Sequence, residues 1–432
     1  MKDIIISFIF LFIGLALIFL PVYSDANEKN DSTGMVIFRK NEMNTGIVYE
    51  AGPRREELRT DISRDYEEYR MNAFKFRMVN RNWNFITYKQ EEWKYMVEGG
   101  LFGGKGSIID SSSTNFVNAD HNFFGLQARA EGFYHSRFYY DYRNFTLVSI
   151  NAWSGLDLYR QNSEGMVVDS NQVSSPYTES AVKVRFRAGF NVRAGWGIGR
   201  LININHLVTA ERLLEKYYPQ RVFSKGEIDK VKQEIGRIKH RRNRKAGHSA
   251  PGEAERLSEF LNRNMFLEVP VNIESDWQLT EFKPRYDGIR FEFGPFFNYF
   301  NYEPDFIYGG YINFENDKYC RPEWNRKFSA ILSYNKYKNH DWLLLESEFS
   351  LTYYPNLKSE YNFGIRYIPG MDIRSLDDLG PVSHNIIPYI KYFSQLNSRW
   401  RIDMALALRV VSNDRYMLPG TEFTVCVYRS SY

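Results

Sequence analysis

The chain has 432 residues, of which 43% are apolar, 25% charged and 17% aromatic, and its net charge is +4. These values exclude a collagen, a disordered chain and a small disulfide scaffold. A single apolar stretch, at residues 4–20, approaches the length of a membrane-spanning helix, so a polytopic helical membrane protein is excluded as well. Any membrane-embedded structure must therefore be a β-barrel. The 31 Tyr, 33 Phe and 8 Trp are an excess, and Tyr and Trp favour sites with one apolar and one wet side.

The N-terminus has the pattern of a secretory signal peptide. Lys2 precedes the apolar stretch, Pro21 interrupts it, and Val22 and Ser24 suit the positions three and one before a cleavage site. We therefore predict a signal peptide at residues 1–24 and export of the mature chain. The alternative is an uncleaved anchor, because seventeen apolar residues reach the lower limit for a span.

Residues 25–70 are interpreted as a polar N-terminal segment with a short amphipathic helix. The stretch before Gly52 is rich in Asn, Glu and Lys and has little periodicity. After Pro53, four apolar or aromatic residues recur at helical spacings of four, four and three, namely Leu58, Ile62, Tyr66 and Tyr69. This spacing predicts one helix that packs on a larger body.

From about residue 90 onward the hydrophobic period becomes two, which is the period of a β-strand. In the stretch from Val182 to Trp196, every second residue is apolar or Ala and the intervening residues include Lys183, Arg185 and Arg187. The stretch from Trp400 to Val410 alternates in the same way. These runs exceed the five or six residues of an ordinary strand and reach the nine to eleven of a membrane-spanning one.

The fold class predicted from these patterns is mainly β, a transmembrane antiparallel up-and-down β-barrel of about 12 strands, within a range of 10–14, with an α-helical insert. The alternative is a soluble secreted β-sandwich that acts as a binding module. The barrel is predicted in two parts, residues 71–199 and residues 289–432. An even strand number puts both termini in the periplasm and leaves the long connectors 102–120, 154–180 and 369–383 outside.

Residues 200–288 are predicted to form a helical periplasmic insert between the two parts of the barrel. Apolar residues at helical spacing indicate three helices, around Leu207, Ile228 and Leu257. Ser224 and Glu227 have the spacing of a capping box at the start of the second helix.

The motif Trp196-Gly197-Ile198-Gly199-Arg200, followed by a charged helical insert, resembles a group of uncharacterised outer-membrane β-barrel proteins of the Bacteroidota. The resemblance covers the strand at residues 181–198 and the insert, and the remainder only through its general barrel pattern. It implies a barrel fold and a location in the outer membrane of a Gram-negative cell, and it implies no activity.

Charged residues on the polar faces of the predicted strands are the candidates for the barrel lumen. They are Lys183, Arg185, Arg187, Arg193, Arg399, Arg401, Arg409, Glu346 and Glu348. A lumen rich in arginine favours anions in a pore, whereas a lumen filled with ion pairs conducts nothing. At about twelve strands both arrangements are physically feasible.

A basic run in the insert is the candidate for partner binding. It consists of Arg237, Lys239, Arg241, Arg242, Arg244 and Lys245. The functional interpretation is a contact with a periplasmic protein or with anionic headgroups, beside the outer-membrane lipid that any such barrel meets. The simpler interpretation is a solvated helix end whose cations complement the helix dipole. Nucleic acid is not an expected partner of an exported chain.

The function predicted from the sequence is a passive pore or binding channel for small, anionic solutes. The alternative is a non-conducting structural barrel that docks a periplasmic partner through its insert. The spacing of the His and Cys residues predicts no metal site, and no residues are predicted to be catalytic or to bind a cofactor. The chain is therefore not expected to be an enzyme. Whether Cys320 and Cys426 pair, and how many copies assemble, stays open at this level.

Overall fold

The chain folds into one closed antiparallel β-barrel with a helical insert. The computed structural model describes residues 38–57, 66–111, 115–169, 171–240, 252–268, 273–280, 284–302, 305–338, 340–375, 378–397, 399–412 and 418–431. The predicted signal peptide at residues 1–24 lies outside the described residues.

In the part of the chain that the structure describes, fifteen strands make up the barrel wall. They are β1 (Phe38–Glu57), β2 (Tyr66–Ile86), β3 (Lys89–Ser111), β4 (Asn115–Tyr139), β5 (Asn144–Asp169), β6 (Ser174–Asn203), β7 (Tyr286–Phe300), β8 (Phe306–Arg321), β9 (Trp324–Tyr337), β10 (His340–Tyr353), β11 (Ser359–Tyr367), β12 (Gly370–Ser375), β13 (Asp378–Gln395), β14 (Trp400–Ser412) and β15 (Gly420–Ser431). Strands adjacent in sequence pair side by side, except for β11 and β12, and this is the up-and-down order that the alternation predicts.

Closure comes from the pairing of the first strand with the last. The β1–β15 ladder runs from Met43 opposite Ser431 to Ala51 opposite Phe423. Strands β11 and β12 both pair with β10 and β13, so together they occupy one position in the wall. The barrel therefore has fourteen strand positions, within the range expected from the sequence.

The outer surface of the barrel carries a continuous apolar belt. The belt includes Phe74, Phe76, Leu101, Leu126, Leu156, Val184, Phe186, Ile312, Leu332, Leu351, Ile390 and Leu406, all exposed. Exposed apolar surface of this extent is the exterior that a bilayer requires, so the barrel spans a membrane. The closed barrel and this exterior rule out the soluble β-sandwich.

Aromatic residues flank the belt on both sides. Near one edge lie the pairs Trp324–Tyr353 and Trp93–Tyr134, with ring centroids 4.7 and 4.3 Å apart. Tyr334, on the same strand as Trp324, lies near the opposite edge of the belt. Ten residues separate the two positions on β9, which at about 3.3 Å per residue and a tilt near 40° span about 25 Å. That height matches the apolar band of an outer-membrane barrel.

Strands β2–β6 continue past the belt and form an upper wall. Its outer face is polar, with Lys105, Asp120, Asn122, Arg160, Asn162, Glu164 and Ser180. Its inner face carries an apolar cluster made of Tyr69, Met71, Ala73, Phe102, Phe123 and Tyr159. Polarity thus inverts above the belt, because water replaces lipid outside the wall and the apolar side chains pack inward.

The insert between β6 and β7 lies at the end of the barrel that also holds Phe38 and Ser431. It contains helices α1 (Asn205–Tyr217), α2 (Lys225–His240), α3 (Glu253–Met265) and α4 (Ile273–Gln278). Their buried apolar residues form a separate core around Leu213, Ile235, Leu257 and Trp277. We call this end of the barrel the insert end and the opposite end the open end. Among the described residues, no helix is long and apolar enough to cross a membrane.

The interpretation of residues 25–70 was wrong over the part that the structure describes. Residues 38–57 form β1, and Tyr66 and Tyr69 belong to β2 rather than to an amphipathic helix. The lumen face of β1 carries Glu42, Asn44 and Glu50, which made this stretch resemble a polar tail. Residues 25–37 and 58–65 lie outside the described residues.

The long outer connectors were also wrongly assigned. Residues 102–111 and 115–120 extend β3 and β4, and most of 154–180 extends β5 and β6. Most of the described part of 369–383 belongs to β12 and β13. The upper wall lies outside the bilayer, so it lacks the apolar exterior by which the membrane strands were recognised.

Substitution of Leu406 tests the belt. Leu406→Arg places a charge on the lipid-facing side of β14, six residues from Trp400, and should lower the free energy of unfolding by about 2–4 kcal/mol. Met166→Arg, on the outer face of the upper wall, is the control and should change it by about 0.5 kcal/mol or less. Urea unfolding in phospholipid vesicles measures both. Equal losses would show that Leu406 does not face lipid.

Candidate functional site: the lumen and its mouth

The lumen is identified by side chains that meet from strands that are not neighbours in the wall. Arg137 on β4 donates through Nε and Nη2 to Glu292 on β7, each at 3.1 Å. Arg401 on β14 donates to Glu42 on β1 at 2.8 Å. Such contacts cross the interior, so the charged faces of the strands point inward.

Toward the open end, charged lumen side chains are accessible to water. Arg366 on β11 pairs with Glu346 on β10 at 3.1 Å, and their side chains are 40% and 43% exposed. Arg129 on the inner face of β4 is exposed as well. Charged groups keep most of their hydration in such a setting, so this half of the lumen contains water.

Toward the insert end, the lumen is packed. Arg290 lies between Glu292 and Glu315 with its side chain 8% exposed, and Glu292 also accepts a hydrogen bond from Asn313 at 2.9 Å. Arg401 is 1% exposed. Buried charges at this density are tolerated only when each has an opposite charge and hydrogen bonds.

The packed end is closed by direct contact across the barrel. The ring centroids of Phe85 on β2 and Tyr286 on β7 lie 6.2 Å apart, although four strands separate them in the wall. Phe38 contacts Phe85 at 5.8 Å and His206 of α1 at 6.1 Å. The lumen is therefore open at one end and filled at the other.

Helix α1 lies over the filled end. Glu211 accepts a hydrogen bond from Tyr319 of β8, and Arg212 pairs with Glu323 at 3.4 Å and donates to the carbonyl of Tyr354. Val208 and Arg212 line a common pocket with Leu357 and Phe393, which extends the contact to β13. Burial raises the pKa of the Glu211 carboxyl. The helix thus contacts several turns on one side of the mouth.

Arg285, just before β7, fastens the insert to these turns. Its guanidinium donates to the carbonyl of Pro322 at 3.0 Å and to Asn325 Oδ1 at 2.6 Å. It also stacks on the ring of Tyr354 at 3.8 Å from the centroid. The backbone amide of Arg285 donates to Asn205 Oδ1 at 2.7 Å, which ties the two ends of the insert together. Arg285 is 3% exposed, so these contacts are shielded from water.

Most of the candidate lumen residues lie on the inner wall. Arg185 pairs with Asp157 at 3.3 Å, and Arg187 and Arg193 lie over the rings of Tyr302 and Tyr311 at 5.3 and 5.4 Å. The others on the inner wall are Lys183 on β6, Arg401 and Arg409 on β14, and Glu346 and Glu348 on β10.

Arg399 differs from the other candidates. It is exposed in the turn between β13 and β14, where its backbone amide donates to Asn397 Oδ1 at 2.9 Å, so it does not line the lumen. Arg399 was assigned to the lumen because the alternation of β14 continues into this turn. The sequence pattern alone does not show where the strand begins.

The basic run of the insert is only partly described. Arg237 pairs with Glu234 on α2 at 2.7 Å, and Lys239 donates to Thr280 Oγ1 at 3.0 Å and lies over the Trp277 ring at 5.1 Å. Both side chains therefore have partners within the insert. Arg241, Arg242, Arg244 and Lys245 lie outside the described residues.

The residues that close the lumen were not recognised from the sequence. Arg137, Glu292, Arg285 and Phe85 were not singled out, because their partners are distant in sequence. The Arg137–Glu292 pair spans 155 positions, and Arg285 contacts residues on three different strands or turns. The available signal was the set of charged residues on the lumen face of β7, such as Arg290 and Glu292.

The cysteines and metal-binding groups are the remaining chemical features. Cys320 is exposed on β8 and Cys426 is half-buried on β15, and both are free thiols. Within the described ranges, no group of three His, Cys, Asp or Glu side chains is arranged to hold a metal ion.

Comparison with known proteins gives fold likenesses only. No protein-family model matches the chain, and no curated protein matches it. Among solved structures, the translocator domain of the autotransporter NalP from Neisseria meningitidis aligns with 6% identity and a TM-score of 0.31, over 91% of this chain and 88% of that one. An outer-membrane channel from Pseudomonas putida F1 aligns with 7% identity and a TM-score of 0.33, over 92% of this chain and 96% of that one. The β domain of the Bordetella autotransporter BrkA aligns with 7% identity and a TM-score of 0.32, over 90% of this chain and 99% of that one.

These likenesses do not extend to any property of this chain, because the TM-scores are near 0.3 and the identities are 6–7%. The barrel is instead defined by its own ladder of paired strands.

Removal of one buried carboxylate tests the packed end. Glu292→Gln leaves Arg137 and Arg290 without their shared countercharge and should lower the free energy of unfolding by about 3–5 kcal/mol. Glu346→Gln is the matched control, since its pair with Arg366 is hydrated, and should cost about 1 kcal/mol or less. Urea unfolding in vesicles compares the two. Similar costs would contradict the difference in packing between the two ends.

The capping box of α2 gives a test that depends on pH. The amide and hydroxyl of Ser224, together with Arg221, donate hydrogen bonds that lower the pKa of Glu227 to about 2. In the unfolded chain the pKa of the Glu227 carboxyl is near 4.5. The hydrogen bonds to its carboxylate therefore stabilise the folded helix start fully above that pH, and this stabilisation is lost as the pH falls toward 2. Amide hydrogen exchange in the first turn of α2 should therefore accelerate, after correction for intrinsic rates, over this range.

Glu227→Gln is the control for this measurement. It retains an acceptor for Ser224 but has no group that titrates, so exchange in the first turn should not depend on pH in the same window. A variant that shows the same acceleration as the native chain would assign the effect to another group.

Proposed function

We propose that this protein is an outer-membrane channel whose lumen is filled with water from the open end and is closed at the insert end by α1 and the packed ion pairs. The gradient of exposure along the lumen carries the proposal. Arg366 and Glu346 are 40% and 43% exposed, whereas Arg290 and Arg401 are 8% and 1% exposed. A purely structural barrel has no need of a hydrated half-lumen.

The orientation in the proposal places the insert in the periplasm. Barrels of the outer membrane have both chain ends and their short turns on that side. In this chain Phe38 and Ser431 lie at the insert end, and the tall strands β2–β6 project from the other end. An export signal at residues 1–24 is part of the proposal.

Movement of the insert is the proposed opening step. The contacts that hold α1 over the mouth involve few residues, chiefly Arg212 and Arg285, and they attach to turns rather than to the belt. The insert has its own apolar core around Trp277, so it can move as a unit without unfolding.

The proposed solutes are small anions. Lys183, Arg185 and Arg187 follow one another on the inner face of β6, where Arg185 pairs with Asp157 of the neighbouring strand. Arg129 adds a further cation on β4. A lumen wall of this sign favours anions and disfavours cations. The proposed role is non-enzymatic.

A second candidate function is the docking of a periplasmic protein on the insert. Val222 is 96% exposed and Phe266 is 89% exposed, although both are apolar. Their loops are joined by Tyr218, whose ring contacts Phe223 at 6.1 Å and whose hydroxyl donates to the carbonyl of Glu268 at 2.6 Å. Exposed apolar residues on neighbouring loops are a feature of interaction sites. The same contact would supply a means of moving the insert.

Conductance in planar bilayers tests the channel. The native protein should conduct rarely, and Arg212→Ala combined with Arg285→Ala should raise the open fraction at least tenfold, since removing about 1.4 kcal/mol from the closed state suffices for that change. Arg237→Ala is the control, because Arg237 pairs with Glu234 of the same helix, α2, at 2.7 Å. The control should conduct like the native protein. A double variant that stays closed would favour the docking function.

The charge of the wall is tested in the open variant. Arg185→Glu combined with Arg187→Glu should shift the reversal potential in a salt gradient from anion preference toward cation preference. An unchanged reversal potential would remove β6 from the conduction path.

A further inference from the structure

Exposed cations border the apolar belt on the outer face of the barrel, on the side of the open end. On β2–β6 the last complete apolar row of the belt is paired in register and consists of Phe74, Leu101, Leu126, Leu158 and Val184. Arg70 on β2 and Lys105 on β3 lie four residues beyond this row, and Arg160 on β5 lies two residues beyond it. All three side chains are exposed. We call these three residues the basic band.

The basic band lies at the height of the lipid headgroups. Lys105 follows Trp93, at the aromatic edge of the belt, by twelve residues along β3. At about 3.3 Å per residue and a tilt near 40°, this places Lys105 about 30 Å beyond that edge. The hydrocarbon core of a bilayer is about 30 Å thick, and the polar headgroups begin where it ends. A cation at this level meets headgroups rather than acyl chains.

Two of these cations repel each other. Arg70 and Lys105 are directly opposite on adjacent antiparallel strands and on the same face. The Cβ atoms of such a pair are about 5 Å apart, and like charges in this arrangement destabilise the sheet. Three carboxylates of the same face, those of Glu68, Asp120 and Glu164, lie in the next row beyond. Within the described ranges, neither Arg70 nor Lys105 forms an ion pair, so both charges are available to an anion from outside the chain.

Arg160 forms a second positive position on this face. Its Nε and Nη2 donate to Ser180 Oγ on β6 at 3.3 and 3.2 Å, which directs the guanidinium away from Lys105. Lys105 and Ser180 are three strands apart in one row, which is about 14 Å along the wall. Asn122 and Asn162 occupy the row between them. Asn162 donates to Asn122 Oδ1 at 3.4 Å and accepts from Ser180 Oγ at 2.7 Å. Amides therefore separate the two positive positions.

We propose that the basic band binds a lipid of the leaflet at the open end, with a headgroup made of a sugar that carries two phosphate groups. One phosphate lies between Arg70 and Lys105, and the other is held by Arg160. Hydroxyl groups of the sugar bond to Asn122 and Asn162, and the acyl chains follow the belt. Each part of the band matches one property of this lipid, since Arg and Lys bind phosphate and amides both donate and accept.

Other ligands match fewer of these groups. A lipid with a single phosphate would occupy one positive position and leave the other without an anion. Free phosphate would gain nothing from the apolar row that adjoins the band. An acidic protein would have to displace the lipid headgroups that surround the barrel at this height. A lipid with two phosphate groups is the ligand that engages both cationic positions, the amides and the belt.

The test uses the full-length protein in detergent and native mass spectrometry with diphosphoryl lipid A. Monophosphoryl lipid A and phosphatidylglycerol are the comparison ligands, since the first lacks one phosphate and the second has one phosphate and no sugar. The native protein should bind the diphosphoryl lipid at least tenfold more tightly than either. Arg70→Gln combined with Lys105→Gln should weaken this binding about tenfold or more, because two cations are removed from the surface that meets anionic headgroups.

Arg160→Gln tests the second positive position separately. In this variant only one phosphate retains a cationic partner, so the diphosphoryl and monophosphoryl lipids should bind with affinities that differ by about twofold or less. A preference for the diphosphoryl lipid as large as that of the native protein would remove Arg160 from the site.

Lys318→Gln combined with Arg326→Gln is the matched control. These exposed cations are also directly opposite on the outer face of adjacent strands, β8 and β9, but they lie at the insert end beside Trp324. The control should bind the diphosphoryl lipid as the native protein does. Heat-dependent migration in gels verifies that each variant forms a barrel, and Lys105→Gln alone replaces the double variant if the latter does not fold. An equal loss of binding in the control, or displacement of the lipid by millimolar inorganic phosphate, would overturn the proposal.

Discussion

The requirement that every backbone N–H and C=O find a partner inside a bilayer is the constraint on which this structure depends. A sheet meets it only when no edge is left in the lipid, and here the β1–β15 ladder supplies the closure. Once the sheet is closed, alternation forces one face of each strand toward lipid and the other toward the lumen. The apolar belt and the charged interior are two results of the same pairing.

The charged interior then has two physical outcomes, and the barrel shows both. Near the open end, pairs such as Glu346 and Arg366 remain hydrated, so they contribute little to stability and leave room for a solute. Near the insert end, Glu292 and Arg290 are removed from water and depend on one another and on Arg137. The insert covers the end at which the interior is already packed, so the closed mouth is built from the wall and the helix together.

The sequence revealed those parts of the barrel whose outer face touches lipid. The strands around Val184 and Leu406 were recognised because apolar residues alternate with charged ones over the thickness of a membrane. Strand β1 was missed because Thr45 and Ala51 dilute its outer face while Glu42, Asn44 and Glu50 occupy its inner face. The upper wall was missed because its polarity inverts above the belt, with Phe123 and Tyr159 inside. The pairings that close the mouth involve residues far apart in the chain, and alternation carries no information on such contacts.

The unequal height of the wall has a consequence for how neighbouring barrels meet. Pairing between β6 and β7 begins at Gly189, so within the described part of the chain the upper half of β6 has no neighbouring strand on that side. Free strand edges of this kind recruit strands from other molecules. Pro176 has no backbone N–H, so the β6 strand has one hydrogen-bond donor fewer. Lys183, Arg185 and Arg187 place like charges along the same strand, and their repulsion opposes pairing between the β6 edges of two copies. The cations of β6 thus also keep neighbouring barrels from joining edge to edge.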